Sequence, residues 1–180
     1  SEAPITQECL DGYGAMGALA TEEGLRQIEA QEQAHPGEVD WRRASRPFGQ
    51  NCGFTLAESG QFVVLMDDEL ALQLGADIHG AVPEVFINAD GFKKSISAPG
   101  PGNYLCMAKA VASAMQLVGE EGVRLRSFVH AHGSSTPANR VTESALLDRI
   151  AATFGISDWP VSAAKAYVGH SLASASADQL

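Results

Sequence analysis

The 180 residues are 45% hydrophobic and 19% charged, which supplies the core of one domain, or a large part of one, and excludes wholesale disorder. A net charge of −10 argues against a nucleic-acid binder, which needs excess Lys and Arg to neutralise phosphates; local basic patches remain at Arg42, Arg43 and Arg46 and at Lys93–Lys94. Cys9, Cys52 and Cys106 are odd in number, widely spaced and without a Cys-x-x-Cys pair, so they read as reduced thiols of a cytoplasmic protein, not as a disulfide framework or a zinc site. No apolar run reaches membrane-spanning length and no signal-peptide pattern opens the chain.

Residues 1–20 hold a Pro-containing turn and then Gly12, Gly14 and Gly17, whose spacing suggests close backbone packing but not a dinucleotide fingerprint. The polar stretch 21–46 predicts a helix from Thr21 to Gln33 and then an exposed loop through His35–Pro36–Gly37 and Glu38, a surface insertion. Residues 53–66 end in an apolar strand bounded by Gly60 and Asp67–Asp68. Asp67 or Asp68 caps a short helix to Leu74, with Gly75 closing it.

Residues 77–89 alternate enough for a long strand, and 95–103 read as a loop. Asn103 is placed to cap a helix over 104–118, where Leu105, Met107, Ala108, Val111, Ala112, Met115 and Val118 recur at helical spacing. Val123–Ala131 reads as a buried strand, and Asn139–Phe154 as a helix with Asn139 as N-cap and Glu143 in the first turn. Val161–Ala164 is a short strand, and Gly169–Leu180 opens a helix rich in Ala and Ser. Strands alternating with helices predict an α/β layered fold. Ser1–Glu2–Ala3–Pro4 reads as mid-chain sequence, and the helical pattern still runs at Leu180.

Two runs read as one site. Phe128–Val129–His130–Ala131–His132 leads into Gly133–Ser134–Ser135–Thr136–Pro137, and Lys165–Ala166–Tyr167–Val168–Gly169 leads to His170 and Ser171. Each delivers a histidine beyond a strand into a turn of small and hydroxylated residues, where a ligand can approach closely. Hydrogen-bonded core histidines are the plain alternative. His130, His132 and His170 could also form a three-His metal site, but no acidic partner is evident and Gly133 breaks the strand at His132. Lys165 sits among small and apolar residues, so it is expected to be partly buried and to want a carboxylate; Glu143 is the candidate. Ser134, Ser135 and Thr136 could bind a polar ligand or simply hold the turn. The run is not a Gly-x-Ser-x-Gly elbow, which disfavours a nucleophilic serine.

These runs resemble the β-ketoacyl-acyl-carrier-protein synthases, condensing enzymes of fatty-acid and polyketide assembly with a thiolase-like layered αβαβα fold. The family's His-Gly-Thr-x-Thr-Pro, with a Glu on the next helix, stands here as His132–Gly133–Ser134–Ser135–Thr136–Pro137 with Glu143. Its Lys-x-x-x-Gly-His stands as Lys165–Ala166–Tyr167–Val168–Gly169–His170. Weaker similarities run through Met16–Gly17–Ala18–Leu19, Ser45–Arg46–Pro47–Phe48, Gly53–Phe54, Glu58, Gly75–Ala76, Ala98–Pro99 and Met107–Ala108. The resemblance implies that residues 1–50 end the N-terminal thiolase-like half, with a surface insertion, and that 51–180 form the C-terminal half, incomplete at its end. The nucleophilic cysteine of the family then lies upstream, since none of the three cysteines has a matching context, and this stretch alone should be inactive.

The same resemblance implies a cofactor-free and metal-free decarboxylative Claisen condensation. His132 and His170 would donate hydrogen bonds to the forming enolate, and Lys165, paired with Glu143, would position them. Ser134 and Thr136 would contact the phosphopantetheine arm. The implied partner is an acyl carrier protein bearing malonyl and acyl groups, or an acyl-CoA as primer source, and the whole enzyme would be a cytoplasmic homodimer. Carrier proteins are acidic, so Arg42, Arg43 and Arg46 are candidate docking residues, with a solvated loop as the alternative. Departures from the family pattern are Gly49, Ser59, Arg140 and the tail Ala173–Ser174–Ala175–Ser176, with Gln179 where the family has Glu. The rival readings are a non-catalytic partner subunit of the same fold, like a chain-length factor, a thiolase-like acyl-CoA acyltransferase and a His-based metallohydrolase.

Overall fold

A computed structural model describes residues 2–32, 39–92 and 100–180. The expectations for Gln33, His35–Pro36–Gly37, Glu38, Lys93–Lys94 and Ala98–Pro99 lie outside them. In chain order the elements are β1 (Glu2–Ala3), α1 (Gln7–Ala15), α2 (Glu22–Glu32), β2 (Ser59–Gly60), α3 (Asp68–Leu74), α4 (Pro101–Val118), α5 (Glu120–Arg126), β3 (Val129–His130), α6 (Pro137–Phe154), β4 (Val161–Ser162) and α7 (Lys165–Val168). Single 3₁₀ turns stand at Trp41–Arg43, Leu172–Ser174 and Ala177–Gln179.

The core is built where α4, α5 and α6 pack behind β3 and β4. Val111, Val123, Ile150 and Ile156 are buried together, flanked by Met107, Met115 and Trp159. Each such side chain contributes about 1.5–3 kcal/mol relative to exposure. Val129, Ala131 and Leu147 extend this packing to the strand that carries the first histidine motif. β3 and β4 pair in parallel, Val129 opposite Val161 and His130 opposite Ser162. A parallel pair needs a crossover, and α6 supplies it. Both histidine runs therefore emerge from the same end of one strand pair.

The early part of the chain is tied to the later part by backbone pairing. β1 pairs antiparallel with β2, and bridges join Leu19 to Phe54 and Leu56 to His170. Gly53 permits the first bridge: its φ is +151°, and a Cβ there would lie 2.3 Å from the carbonyl carbon of Leu19. Around Gly12, Gly14 and Gly17 a Cβ would meet nothing within 4 Å, so the close packing expected at these glycines is found at Gly53 instead.

Several boundaries differ from the sequence expectation, each for a physical reason. α3 is as expected, with the Asp67 carboxylate accepting from the Leu70 N–H and Gly75 left-handed at φ +62°. α2 also matches, but it buries Leu25, Ile28 and Glu29 and so is no mere surface excursion. The apolar run 61–66 is not a strand: Phe62 is 96% and Val64 80% exposed, and β2 stops at Gly60. Residues 77–89 likewise form no strand, because among the described residues no neighbour accepts their backbone groups into a ladder. The strand expected over Val123–Ala131 shrinks to Val129–His130, because Glu120 and Glu121 begin, and Arg124 and Arg126 end, a helical segment with the charges its dipole favours. An ion pair of 2.9 Å between Arg124 and Glu120 adds to it.

α4 starts at Pro101, not after Asn103. Pro at the first helical position needs no N–H partner, while the Asn103 N–H is taken by Asp90 Oδ1 at 3.1 Å. α6 starts at Pro137 with Thr136 as N-cap, which moves Glu143 from the first turn into the second. The helix expected over Gly169–Leu180 is replaced by the two 3₁₀ turns. Its serines bond elsewhere, Ser171 to Asp178 and Ser174 to the Ser59 carbonyl, and Leu172 holds a left-handed φ of +53°.

Candidate active site

His132 follows β3 and His170 follows α7, and the fold brings their rings together. The centroids are 5.2 Å apart with the planes at 75°, an edge-to-face arrangement. His170 is anchored by its backbone: its N–H donates to the Thr55 carbonyl at 2.8 Å, and its carbonyl accepts from Ala57 N–H at 3.1 Å. Gly169 permits this turn at φ +76°, where a Cβ would come 3.1 Å from Ala57 Cβ. The His170 ring also packs on Phe54, centroids 5.0 Å apart, and Phe54 in turn on Tyr13.

The hydrogen bonds assign the His170 tautomer. Its Nδ1 accepts from the Leu172 N–H at 3.0 Å, so in the neutral ring the proton sits on Nε2. Burial, then the nearby Lys165 and His132, lower the His170 pKa to about 4. Burial followed by Lys165 lowers that of His132 as well, against an opposing pull from Glu143. Near neutral pH both rings are uncharged N–H donors.

The main chain at His132 is gripped from both sides. Glu143 Oε1 accepts the His132 N–H at 2.7 Å, and Oε2 accepts the Gly133 N–H and the Asn139 side-chain amide, each at 2.8 Å. Lys165 Nζ donates to the His132 carbonyl at 2.8 Å and to Gln179 Oε1 at 3.3 Å. Lys165 is 2% exposed, and burial lowers its pKa while the charges of Glu143 and Asp178 oppose that. The buried lysine expected from sequence is thus present, but its direct pairing with Glu143 is not. The two residues hold opposite ends of one peptide unit, because an ammonium can only donate and a carboxylate can only accept.

Ser134 and Thr136 share a hydroxyl contact of 3.0 Å, and Thr136 Oγ1 accepts from Asn139 N–H as the α6 cap. Ser135 is fully buried at φ +67°, and its hydroxyl accepts from Arg46 N–H. Ser45 Oγ donates to the Lys165 carbonyl, so the Ser45–Arg46 segment braces both motifs. The three arginines divide. Arg46 is buried between Glu29 at 3.4 Å and Glu32 at 3.1 Å; Arg43 shares Glu32 at 3.1 Å. Arg42 meets Asp40 at 3.0 Å with its side chain 91% exposed.

Asn139, Ser45 and Gln179 also contribute to this site: Asn139, expected as the helix N-cap, instead holds Glu143, and the sequence assigns no role to Ser45 or Gln179. Asn139 stands four residues before Glu143 on α6, a spacing that could have revealed it. Among the described residues no three His, Cys, Asp or Glu side chains converge as a metal site. None of the cysteines joins the histidines directly: the Cys106 thiol donates to the Phe86 carbonyl, Cys52 packs against Gly24 of α2, and Cys9 lies in α1.

A parallel strand pair that sets two neutral histidines edge to face over a buried lysine defines a protein of the ketosynthase class. The chain belongs to the β-ketoacyl synthase family: residues 79–180 match Beta-ketoacyl synthase, C-terminal domain. It is 77% identical, over all 180 residues, to the beta-ketoacyl-[acyl-carrier-protein] synthase FabY of Pseudomonas aeruginosa, and spans 28% of that protein's length. The crystal structure of that ketosynthase superposes on 99% of this chain with a TM-score of 0.92. The 3-oxoacyl-[acyl-carrier-protein] synthase 2 of Vibrio cholerae is 31% identical over 97% of the chain, which spans 38% of it. The ishigamide ketosynthase/chain length factor is 26% identical with a TM-score of 0.66 over 99% of this chain and 37% of that one. The thiolase-like fold expected from the motifs is therefore the fold of this chain's relatives.

Proposed function

We propose that these residues are the C-terminal part of a β-ketoacyl-acyl-carrier-protein synthase that joins a malonyl unit to an acyl primer. The observation that carries the reading is the His132–His170 pair, with the His170 proton assigned to Nε2. In the reaction the acyl group is held as a thioester on a cysteine outside this chain. The malonyl thioester breaks its bond to the carboxylate carbon and releases carbon dioxide. The electron pair passes into the thioester carbonyl as an enolate, whose oxygen is where charge appears. Two preorganised N–H donors stabilise that oxygen without reorganisation. The enolate carbon then attacks the acyl carbonyl, the cysteine leaves as a thiolate, and the β-ketoacyl product stays on the carrier.

Lys165 and Glu143 act as positioning residues, since they clamp the His132 peptide from its carbonyl and amide sides. Ser134 and Thr136 line the turn along which the phosphopantetheine arm enters. An acyl carrier protein is the partner, as the name of the Pseudomonas relative states for that protein, with acyl-CoA as the other primer source. Arg42 is the most exposed of the three arginines for such docking. No described helix is long and apolar enough to cross a membrane. A cytoplasmic homodimer is the assembly this reading entails. The test is to supply the complete protein with malonyl-carrier protein and acyl primers and analyse the carrier by mass spectrometry. A β-ketoacyl carrier two carbons longer than the primer is expected; no ketoacyl product with any primer overturns the reading.

A further inference from the structure

Gln179 lies in the last 3₁₀ turn, outside both histidine motifs, yet it touches the site twice. Its Oε1 accepts from Lys165 Nζ, and its Nε2 donates to the carbonyl of Ala131, the residue before His132. The amide orientation follows from chemistry, because an ammonium has no acceptor and a carbonyl no donor. A carboxylate in this place would set acceptor against acceptor at Ala131.

Two carboxylates are near enough to influence Lys165, and both are engaged elsewhere. Glu143 is held by the His132 and Gly133 N–H groups and Asn139. Asp178 accepts from Gln61 Nε2 at 2.8 Å and from Ser171 Oγ. Among the described residues neither comes within 4.0 Å of the ammonium. The charged and titratable groups around the pair are thus Lys165, Glu143, Asp178 and the two imidazoles themselves.

We infer that Gln179 is a positioning residue of the histidine pair, a neutral bridge that ties Lys165 to the strand end at Ala131 and leaves the lysine charge unneutralised beside both rings. Lys165 then repels a second proton from His132 and His170 and keeps both rings neutral over a wide pH range. That matters most at His170, where protonation of Nδ1 would break the bond from Leu172 N–H that orients the ring. The inference deepens the synthase reading and rests on it only for its kinetic arm.

The test compares wild type, Gln179→Glu and Gln179→Met in the complete protein. Histidine labelled with carbon-13 at Cε1 reports each imidazole titration by NMR, assigned with single histidine variants. Carbon dioxide release from malonyl-carrier protein is followed against pH in parallel. Gln179→Glu is expected to raise both imidazole pKa values by about one unit, tenfold in proton affinity, and to move the acid limb of decarboxylation upward equally. Gln179→Met adds no charge, so the titrations stay within about 0.3 unit of wild type while kcat falls and KM holds. Unchanged titrations in Gln179→Glu overturn the inference. The NMR arm needs no turnover, so shifted titrations without carbon dioxide release uphold the role of Gln179 and remove only the synthase reading.

Discussion

Glu143 separates two accounts of the site, one in which its charge neutralises Lys165 and one in which its geometry holds the His132 turn. The structure favours geometry: three N–H donors at 2.7–2.8 Å fill both carboxylate oxygens. Glu143→Asp keeps the charge and withdraws the oxygens by one C–C bond, about 1.5 Å. Each contact then opens to about 4 Å, beyond hydrogen-bonding distance. A bond to a charged acceptor contributes about 1.5–3 kcal/mol, and the bond from the exposed His132 N–H belongs at the low end because water can replace it. The three together amount to about 4.5–7.5 kcal/mol of order in the turn. If only 1.4 kcal/mol of this is lost from transition-state alignment, the rate falls about tenfold. The assay is carbon dioxide release by the complete protein, beside a thermal melt. We expect Glu143→Asp to lose at least about tenfold in rate and to melt lower, and Glu143→Gln to do the same, since its NH₂ would face a donor. Full activity in Glu143→Asp with loss in Glu143→Gln would refute the geometric account.

The low pKa of His170, about 4, places its protonation far below neutrality. The unfolded chain takes up that proton first, so the stability this residue contributes is complete above about pH 6.5 and is lost as pH falls toward about 4. Denaturant titrations should show this acid-side slope in wild type and less of it in His170→Ala. Arg46→Met should lower stability by about 3–5 kcal/mol, because it strands Glu29, which is 2% exposed, without its guanidinium. Arg42→Ala should change stability by less than about 1 kcal/mol in the same urea titration, since its ion pair is solvated. Gly53→Ala should abolish soluble expression or cut stability by over about 3 kcal/mol, because its Cβ would strike the Leu19 main chain. Gly12→Ala, in the interior of α1 with nothing within 4 Å, should raise stability by about 0.5–1 kcal/mol.

The two histidine-bearing turns and the burial of Lys165 are legible in the sequence because each belongs to its own short segment and local order carries that information, whereas the roles of these residues come from the family resemblance. Charge alone suggests Glu143 as the partner of Lys165, whereas the contact depends on which backbone groups face the carboxylate and the ammonium. α3 was readable since Asp67 and Gly75 mark both ends. The runs 61–66 and 77–89 have the composition of strands, but a strand exists only when a neighbour pairs with it, and the pattern of one segment does not show its neighbour. Val123 misled for a different reason. Its apolar character is equally at home on the buried face of α5, and the flanking charges decide for helix. The Ala- and Ser-rich tail failed because its serine hydroxyls compete for the backbone, an effect invisible to periodicity.

The central claim is that His132 and His170 together donate to the enolate oxygen formed on decarboxylation. Its most direct test measures two half-reactions separately in the complete protein: transfer of an acyl group to the enzyme, and carbon dioxide release from malonyl-carrier protein. His132→Ala and His170→Ala are predicted to accept the acyl group and to lose carbon dioxide release by about 100-fold or more, the loss expected for one oxyanion donor. Carbon dioxide release at the wild-type rate in either variant would contradict the claim.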